Sequence, residues 1–127
     1  MPLEPQPWVI CVVDDDASVR RGFSRLLRSA GLAFRAYASA ESFLAALPAA
    51  GRVCILLDIT MPRMSGLDLQ AHLEAQGAGW PVIAISARDD EVARATARML
   101  GASQFLRKPV DDEALLGAIA AATRAAD

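Results

Sequence analysis

The chain has 127 residues, 54% of them hydrophobic and 22% charged, which suits one domain with one sizeable core and leaves no room for two. That balance excludes a disordered chain, and no apolar run approaches the length of a membrane span. The net charge is −2 with basic residues spread along the chain, and residues 1–7 lack a basic start and an apolar core, so a cytoplasmic protein touching neither membrane nor nucleic acid directly is expected.

Residues 1–7, with three prolines, read as a tail ahead of a folded unit over 8–127. From there, short apolar runs of strand length alternate with longer segments whose apolar residues recur at helical spacing, which predicts an α/β fold of five βα units around a parallel sheet. The first strand covers 8–13, and the helix over 18–30 carries Val19, Phe23, Leu26, Leu27 and Ala30 as one stripe, with Gly31 as its stop. A second strand over 33–38 leads to a helix that starts at the N-cap Ser39 and ends before Pro48. The third strand, 53–57, precedes a helix over 65–76 with Leu69 and Leu73 inward. The fourth, 81–85, precedes a helix over 89–100 with Val92, Thr96 and Met99 inward and Gly101 closing it. A fifth strand over 104–107 is followed, after Asp111, by a helix carrying Leu115, Leu116 and Ile119. The first, third and fourth runs are apolar throughout, as strands buried on both faces should be, and belong in the middle of the sheet. Cys11 and Cys54 lie inside such runs and read as small buried hydrophobes, not as a disulfide. His72 reads as a helix-surface residue.

Polar groups of complementary chemistry stand where four of the runs end: Asp14, Asp15 and Asp16 after the first, Asp58 after the third, Ser86 after the fourth and Lys108 after the fifth. Ligands of an open parallel sheet bind beyond the carboxyl ends of its strands. If the first and third strands are neighbours, Asp14 and Asp15 meet Asp58, and three carboxylates in one pocket call for a cation. Their all-oxygen chemistry suits Mg²⁺. Lys108 is the only lysine among 13 Lys and Arg residues, a compact point charge able to reach one phosphoryl oxygen where a planar guanidinium would not fit. Metal, Lys108 and Ser86 would each take one equatorial oxygen of a transferring phosphoryl group, leaving Asp58 as its nucleophile.

From Val9 to about Ala122 the chain resembles the receiver domain of two-component response regulators. The resemblance rests on Asp14-Asp15, on Asp58-Ile59-Thr60-Met61-Pro62-Arg63-Met64-Ser65-Gly66, on Ser86-Ala87 and on Phe105-Leu106-Arg107-Lys108-Pro109; the Met61-to-Gly66 stretch is most similar to the nitrogen-fixation and LuxR-type branch. It implies a flavodoxin-like (βα)5 doubly wound sheet of strand order 2-1-3-4-5. It also implies phosphoryl transfer to Asp58 from a phosphohistidine on a sensor histidine kinase or phosphotransfer protein. Mg²⁺ would be bound by Asp15, Asp58 and the backbone carbonyl of Thr60, with Asp14 acting through water and Asp16 outside the shell. Lys108 would pair with the phosphoryl group, and Lys108-Pro109 would be a cis peptide. Ser86 and Phe105 would be the switch residues, reporting on the face of the fourth helix, fifth strand and fifth helix to an effector of unknown kind or to a phosphorylation-linked homodimer. Thr60 and Arg88 occupy positions that tune phosphoryl lifetime in this family. Such a domain catalyses only its own phosphorylation and dephosphorylation.

Three rival readings fit less well. A haloacid-dehalogenase-type phosphatase needs Asp-x-Asp, and Asp58-Ile59-Thr60 lacks the second aspartate. A flavodoxin-type binding module would have its phosphate repelled by Asp14 to Asp16. A receiver-fold interaction module without phosphorylation would be expected to lack an acidic position or the lysine, and all are present.

Overall fold

The computed structural model describes residues 7–47, 52–61, 64–88 and 90–126. The expected tail therefore lies outside the described residues except for Pro7, as do Pro62 and Arg63 of the Asp58 motif and Asp89, the expected start of the fourth helix. The elements alternate as β1 (Trp8–Val13), α1 (Ala17–Ser29), β2 (Ala33–Tyr37), α2 (Ala40–Ala45), β3 (Arg52–Asp58), α3 (Gly66–Ala75), β4 (Val82–Ser86), α4 (Glu91–Met99), β5 (Gln104–Arg107) and α5 (Asp112–Ala126). All four strand pairings are parallel, in the order β2-β1-β3-β4-β5. The doubly wound flavodoxin-like arrangement is the one expected.

β1, β3 and β4 are central because both of their faces are apolar. Cys11, Val13, Ile55 and Leu57 point into a core shared with α2, α3 and α4, while Ile10, Val12, Cys54 and Leu56 point into a second core against α1 and α5. Helices on both faces satisfy the rule that all-parallel sheets are covered on each side. Among the described residues, no helix is long and apolar enough to cross a membrane.

The helix starts are set by side chains that accept the first free backbone amides. Asp16 caps α1 by accepting from Ser18 and Val19, at 2.8 and 3.4 Å, and these bonds hold its carboxyl below the usual aspartate range. Ser39 caps α2, and Ser65 caps α3 in a reciprocal pair with Asp68. Gly31 and Gly101, at φ 75 and 93, supply the left-handed turn that ends α1 and α4.

Two helix faces differ from expectation. Ala30 is the exposed C-cap of α1 and lies outside its inward stripe. In α4, Val92 and Met99 are 76% and 86% exposed, and the fully buried residue is Ala97. Thr96 is half-buried, with its hydroxyl turned back to the Val92 carbonyl at 2.8 Å. The reason is close approach: the buried Gln70 side chain of α3 donates from Nε2 to the Ala97 carbonyl at 2.8 Å. Val92 and Met99, two turns apart, share the opposite, solvent-facing side of the helix.

Cys11 and Cys54 are buried free thiols, as expected, and His72 is exposed. Burial pushes the thiols up to about 11 and about 12, so both remain protonated near neutral pH and lack the reactive thiolate. We expect iodoacetamide near neutral pH to leave the native protein unmodified and to alkylate both cysteines once it is unfolded in urea. Intact mass reads the result, and prompt double labelling of the native protein would contradict this burial.

Candidate functional site

The strand register assembles the site. Val13 pairs with Leu57, Asp58 with Ile85, and Ser86 with Arg107, so the next residues of β1 and β5, Asp14 and Lys108, come out beside Asp58 at one edge of the sheet. Asp14 and Asp58 are 2% and 4% exposed, whereas Asp15 is exposed. One oxygen from each of the three carboxylates lies within 4.8 Å of the others. Between the two buried carboxylates stands Lys108, whose Nζ is 2.7 Å from Asp14 Oδ2 and 3.3 Å from Asp58 Oδ2.

The backbone around these groups is held from several sides. Phe43 of α2, fully buried, meets Tyr37 edge to face at 5.3 Å, a contact worth about 0.5–1.5 kcal/mol beyond area burial. The carbonyl of Tyr37 accepts from the Asp14 amide at 3.1 Å. Asp14 Oδ1 accepts from the Asp16 amide at 2.9 Å, and Arg20 of α1 donates from Nη1 to the Asp14 carbonyl at 2.8 Å. Asp58 Oδ1 accepts from both the Thr60 amide and the Thr60 hydroxyl, each at 2.9 Å. One Asp58 oxygen is thus pinned by its own loop and the other faces the ammonium. The Lys108 amide donates to the Ser86 carbonyl at 2.9 Å, and Lys108-Pro109 is cis, as the resemblance implied.

Gly66, the first residue of α3, packs directly beneath the loop. A Cβ there would stand 2.3 Å from the Asp58 carbonyl oxygen and 2.5 Å from Ile59 Cα. Only glycine allows the helix to approach the end of β3 this closely.

Electrostatically, the site is short of positive charge. Burial raises the Asp14 carboxyl above the ordinary aspartate value, and the neighbouring Asp58 charge adds to this, although hydrogen bonds from Lys108 and the Asp16 amide act in the opposite sense. For Lys108, burial disfavours the ammonium, but the hydrogen bonds and charges of Asp14 and Asp58 together outweigh burial and hold it above its usual value. Three carboxylates against one ammonium leave a net negative pocket of hard oxygen donors, which fits a hard divalent cation of the Mg²⁺ type.

Ser86 is fully buried at the end of β4, and its Oγ accepts from the Arg88 amide at 3.0 Å. Phe105 pairs with Ala84 across β4 and β5, is half-buried against the α4-side core, and carries the Arg94 guanidinium over its ring at 5.0 Å. Asp14, Asp15, Asp58, Thr60, Ser86 and Lys108 therefore meet at this edge, and Phe105 lies on the strand beside Ser86. The sequence pointed to the Thr60 carbonyl but not to its hydroxyl, and to neither Arg20 nor Arg94. No spacing rule marks those three, because their contacts depend on the loop path and helix rotation.

The profile described as the response regulator receiver domain matches residues 10–120. The chain is 41% identical over 117 residues to the transcriptional regulatory protein FixJ of Azorhizobium caulinodans, covering 92% of this chain and 56% of that protein. It is 42% identical over 118 residues to the response regulator protein TodT of Pseudomonas putida, covering 93% and 52%. The chain thus spans about half the length of the curated relatives it matches. Among solved structures, FixJ-N superposes with a TM-score of 0.87 at 32% identity, covering 94% of this chain and 95% of that one. The response regulator StyR does so with a TM-score of 0.87 at 39% identity, covering 94% and 60%.

Proposed function

Because this chain belongs to the response regulator receiver family, we propose that Asp58 accepts a phosphoryl group from a phosphohistidine on a sensor histidine kinase or phosphotransfer protein. The observation that carries this reading is the pairing of Asp58 Oδ2 with Lys108 at 3.3 Å beside the buried Asp14. A carboxylate oxygen attacks phosphorus, the P–N bond breaks, and its electron pair leaves with the imidazole. Asp14, Asp15, Asp58 and the Thr60 carbonyl would hold Mg²⁺, which when bound offsets the repulsion between these carboxylates and the incoming phosphoryl oxygens. Lys108 transfers its hydrogen bond from Asp58 to a phosphoryl oxygen. Asp58 Oδ1 stays oriented by Thr60. An apolar groove lined by Phe23, Leu26, Pro109 and Val110 adjoins Lys108, a surface suited to a protein donor. The domain acts on no separate substrate and catalyses only its own phosphorylation and dephosphorylation.

The receiver unit is 8–127, with 1–7 as a tail, in a cytoplasmic protein whose output partner is an effector domain, a separate protein or a second copy. This reading is tested by incubation with acetyl phosphate and Mg²⁺, which should add one phosphoryl group by intact mass. EDTA should stop the labelling without unfolding the protein. Labelling that continued in EDTA would remove the metal from the scheme.

The response is transmitted through Ser86 and Phe105. The Ser86 hydroxyl, now an acceptor for the Arg88 amide, turns to donate to a phosphoryl oxygen. The half-buried Phe105 ring then moves inward, because a buried void forfeits packing contacts, and the α4-β5-α5 face changes shape. Accordingly, Ser86→Ala should still be phosphorylated but should lose most of the NMR shift changes over residues 86–119 that beryllofluoride and Mg²⁺ induce in the parent. Changes confined to α1 and α2 in the parent would rule out this route.

A further inference from the structure

At the end of the sheet opposite Asp58, a cleft of about 280 Å³ opens between the exits of α3 and α4 and the last turn of α5. Gln70 lines it and is 1% exposed. Its Nε2 is committed to the Ala97 carbonyl at 2.8 Å, which fixes the orientation of the amide, since turning it over would set two oxygens face to face. Gln70 Oε1 is then a buried acceptor without a hydrogen-bond partner among the described residues, a deficit that an arriving donor would relieve.

Glu74 lies on the last turn of α3, and its Oε2 is 3.6 Å from where a Cβ on Gly101 would stand, at the exit of α4. No ion pair engages it among the described residues. A carboxylate beside the C-terminal ends of two helices stands where both helix dipoles disfavour negative charge. Leu73, Leu100 and the half-buried Trp80 supply an apolar and aromatic part of the wall, and Ser103 a polar one. An unmet acceptor, an unpaired carboxylate, two negative helix ends and an aromatic ring all call for the same complement. One carboxylate is too few charged oxygens for a metal ion, and the volume exceeds what an ion needs.

We propose that this cleft binds a guanidinium or primary ammonium group on a short alkyl stem. The charged head pairs with Glu74 and, by displacing the wall that now shields it, donates to Gln70 Oε1, while the stem lies along Leu73 and the Trp80 ring. The test is an NMR titration of the full chain with n-butylguanidinium, against n-butylurea as a neutral probe of the same shape. The Trp80 indole N–H, identified with Trp80→Phe, should shift saturably. The Trp8 indole, whose ring already lies under Arg52 at 4.7 Å, should not. Both Glu74→Gln, at an exposed position, and the change to butylurea should weaken binding by about tenfold or more, the weight of one charge-assisted hydrogen bond. Unchanged acetyl phosphate labelling of Glu74→Gln confirms that the variant is folded. A Trp80 shift that depends on protein concentration without probe, and is lost in Glu74→Gln, identifies a second copy as the source of the cation; its absence identifies a free ligand. No saturable shift, equal response to butylurea, or indifference to Glu74→Gln would mean a water-filled gap and overturn the proposal.

Discussion

Asp58→Asn eliminates phosphorylation by acetyl phosphate and Mg²⁺, with no mass increase where the parent gains one phosphoryl group. The amide keeps the shape of the carboxylate, and its oxygen can still accept from the Thr60 amide and hydroxyl at the positions now 2.9 Å away, so the loop stays in place. What is lost is the anionic nucleophile, for which no neighbour substitutes: Asp14 is already bonded to Lys108 at 2.7 Å and to the Asp16 amide, and Asp15 is exposed. The variant should be at least as stable as the parent, because two carboxylates then face one ammonium where three did. Loss of labelling with an unchanged or raised urea midpoint is the expected pair of results. Labelling at the parent rate would move the phosphoacceptor elsewhere.

Gly66→Ala destabilises the fold by about 3 kcal/mol or more, the upper end of overpacking costs, because the added methyl meets backbone and no flexible side chain can yield. The contacts of 2.3 and 2.5 Å to Asp58 and Ile59 cannot be relieved without moving α3 away from the end of β3 or displacing the nucleophile. Slower phosphorylation should therefore accompany the lost stability. Urea denaturation and single-turnover labelling measure the two effects. A variant as stable as the parent would show that α3 yields easily at its first turn.

The strands were legible because β1, β3 and β4 are apolar on both faces, so unbroken runs marked them, and the carboxyl-end rule then placed Asp14, Asp58, Ser86 and Lys108 together. The rotation of α4 was not legible. A helical stripe assigns the largest hydrophobics inward, yet the contact that sets this helix is a hydrogen bond from Gln70 to the Ala97 carbonyl, which an alanine-rich pattern does not reveal. Charge distribution misled in a similar way. Basic residues that look evenly spread in the sequence include Arg20, Arg21, Arg25 and Arg28, which line a single cleft along α1 and β2. At the site, the Thr60 hydroxyl and Arg20 act through loop geometry that no residue spacing encodes.

The two-sided core has a consequence for how the central strands find their partners. Where one face of a strand is wet, alternation of polar and apolar side chains distinguishes the correct pairing from one displaced by a residue. In Trp8–Val13 and Arg52–Asp58 that guide is missing, since either set of alternating side chains is apolar enough for either core. A slip of one residue along β1 would instead draw Asp14 into the sheet, away from Lys108 and the edge where its charge is met. Asp14 therefore also acts as a stop that fixes the alignment of β1, so that folding and chemistry place the same demand on the same side chain.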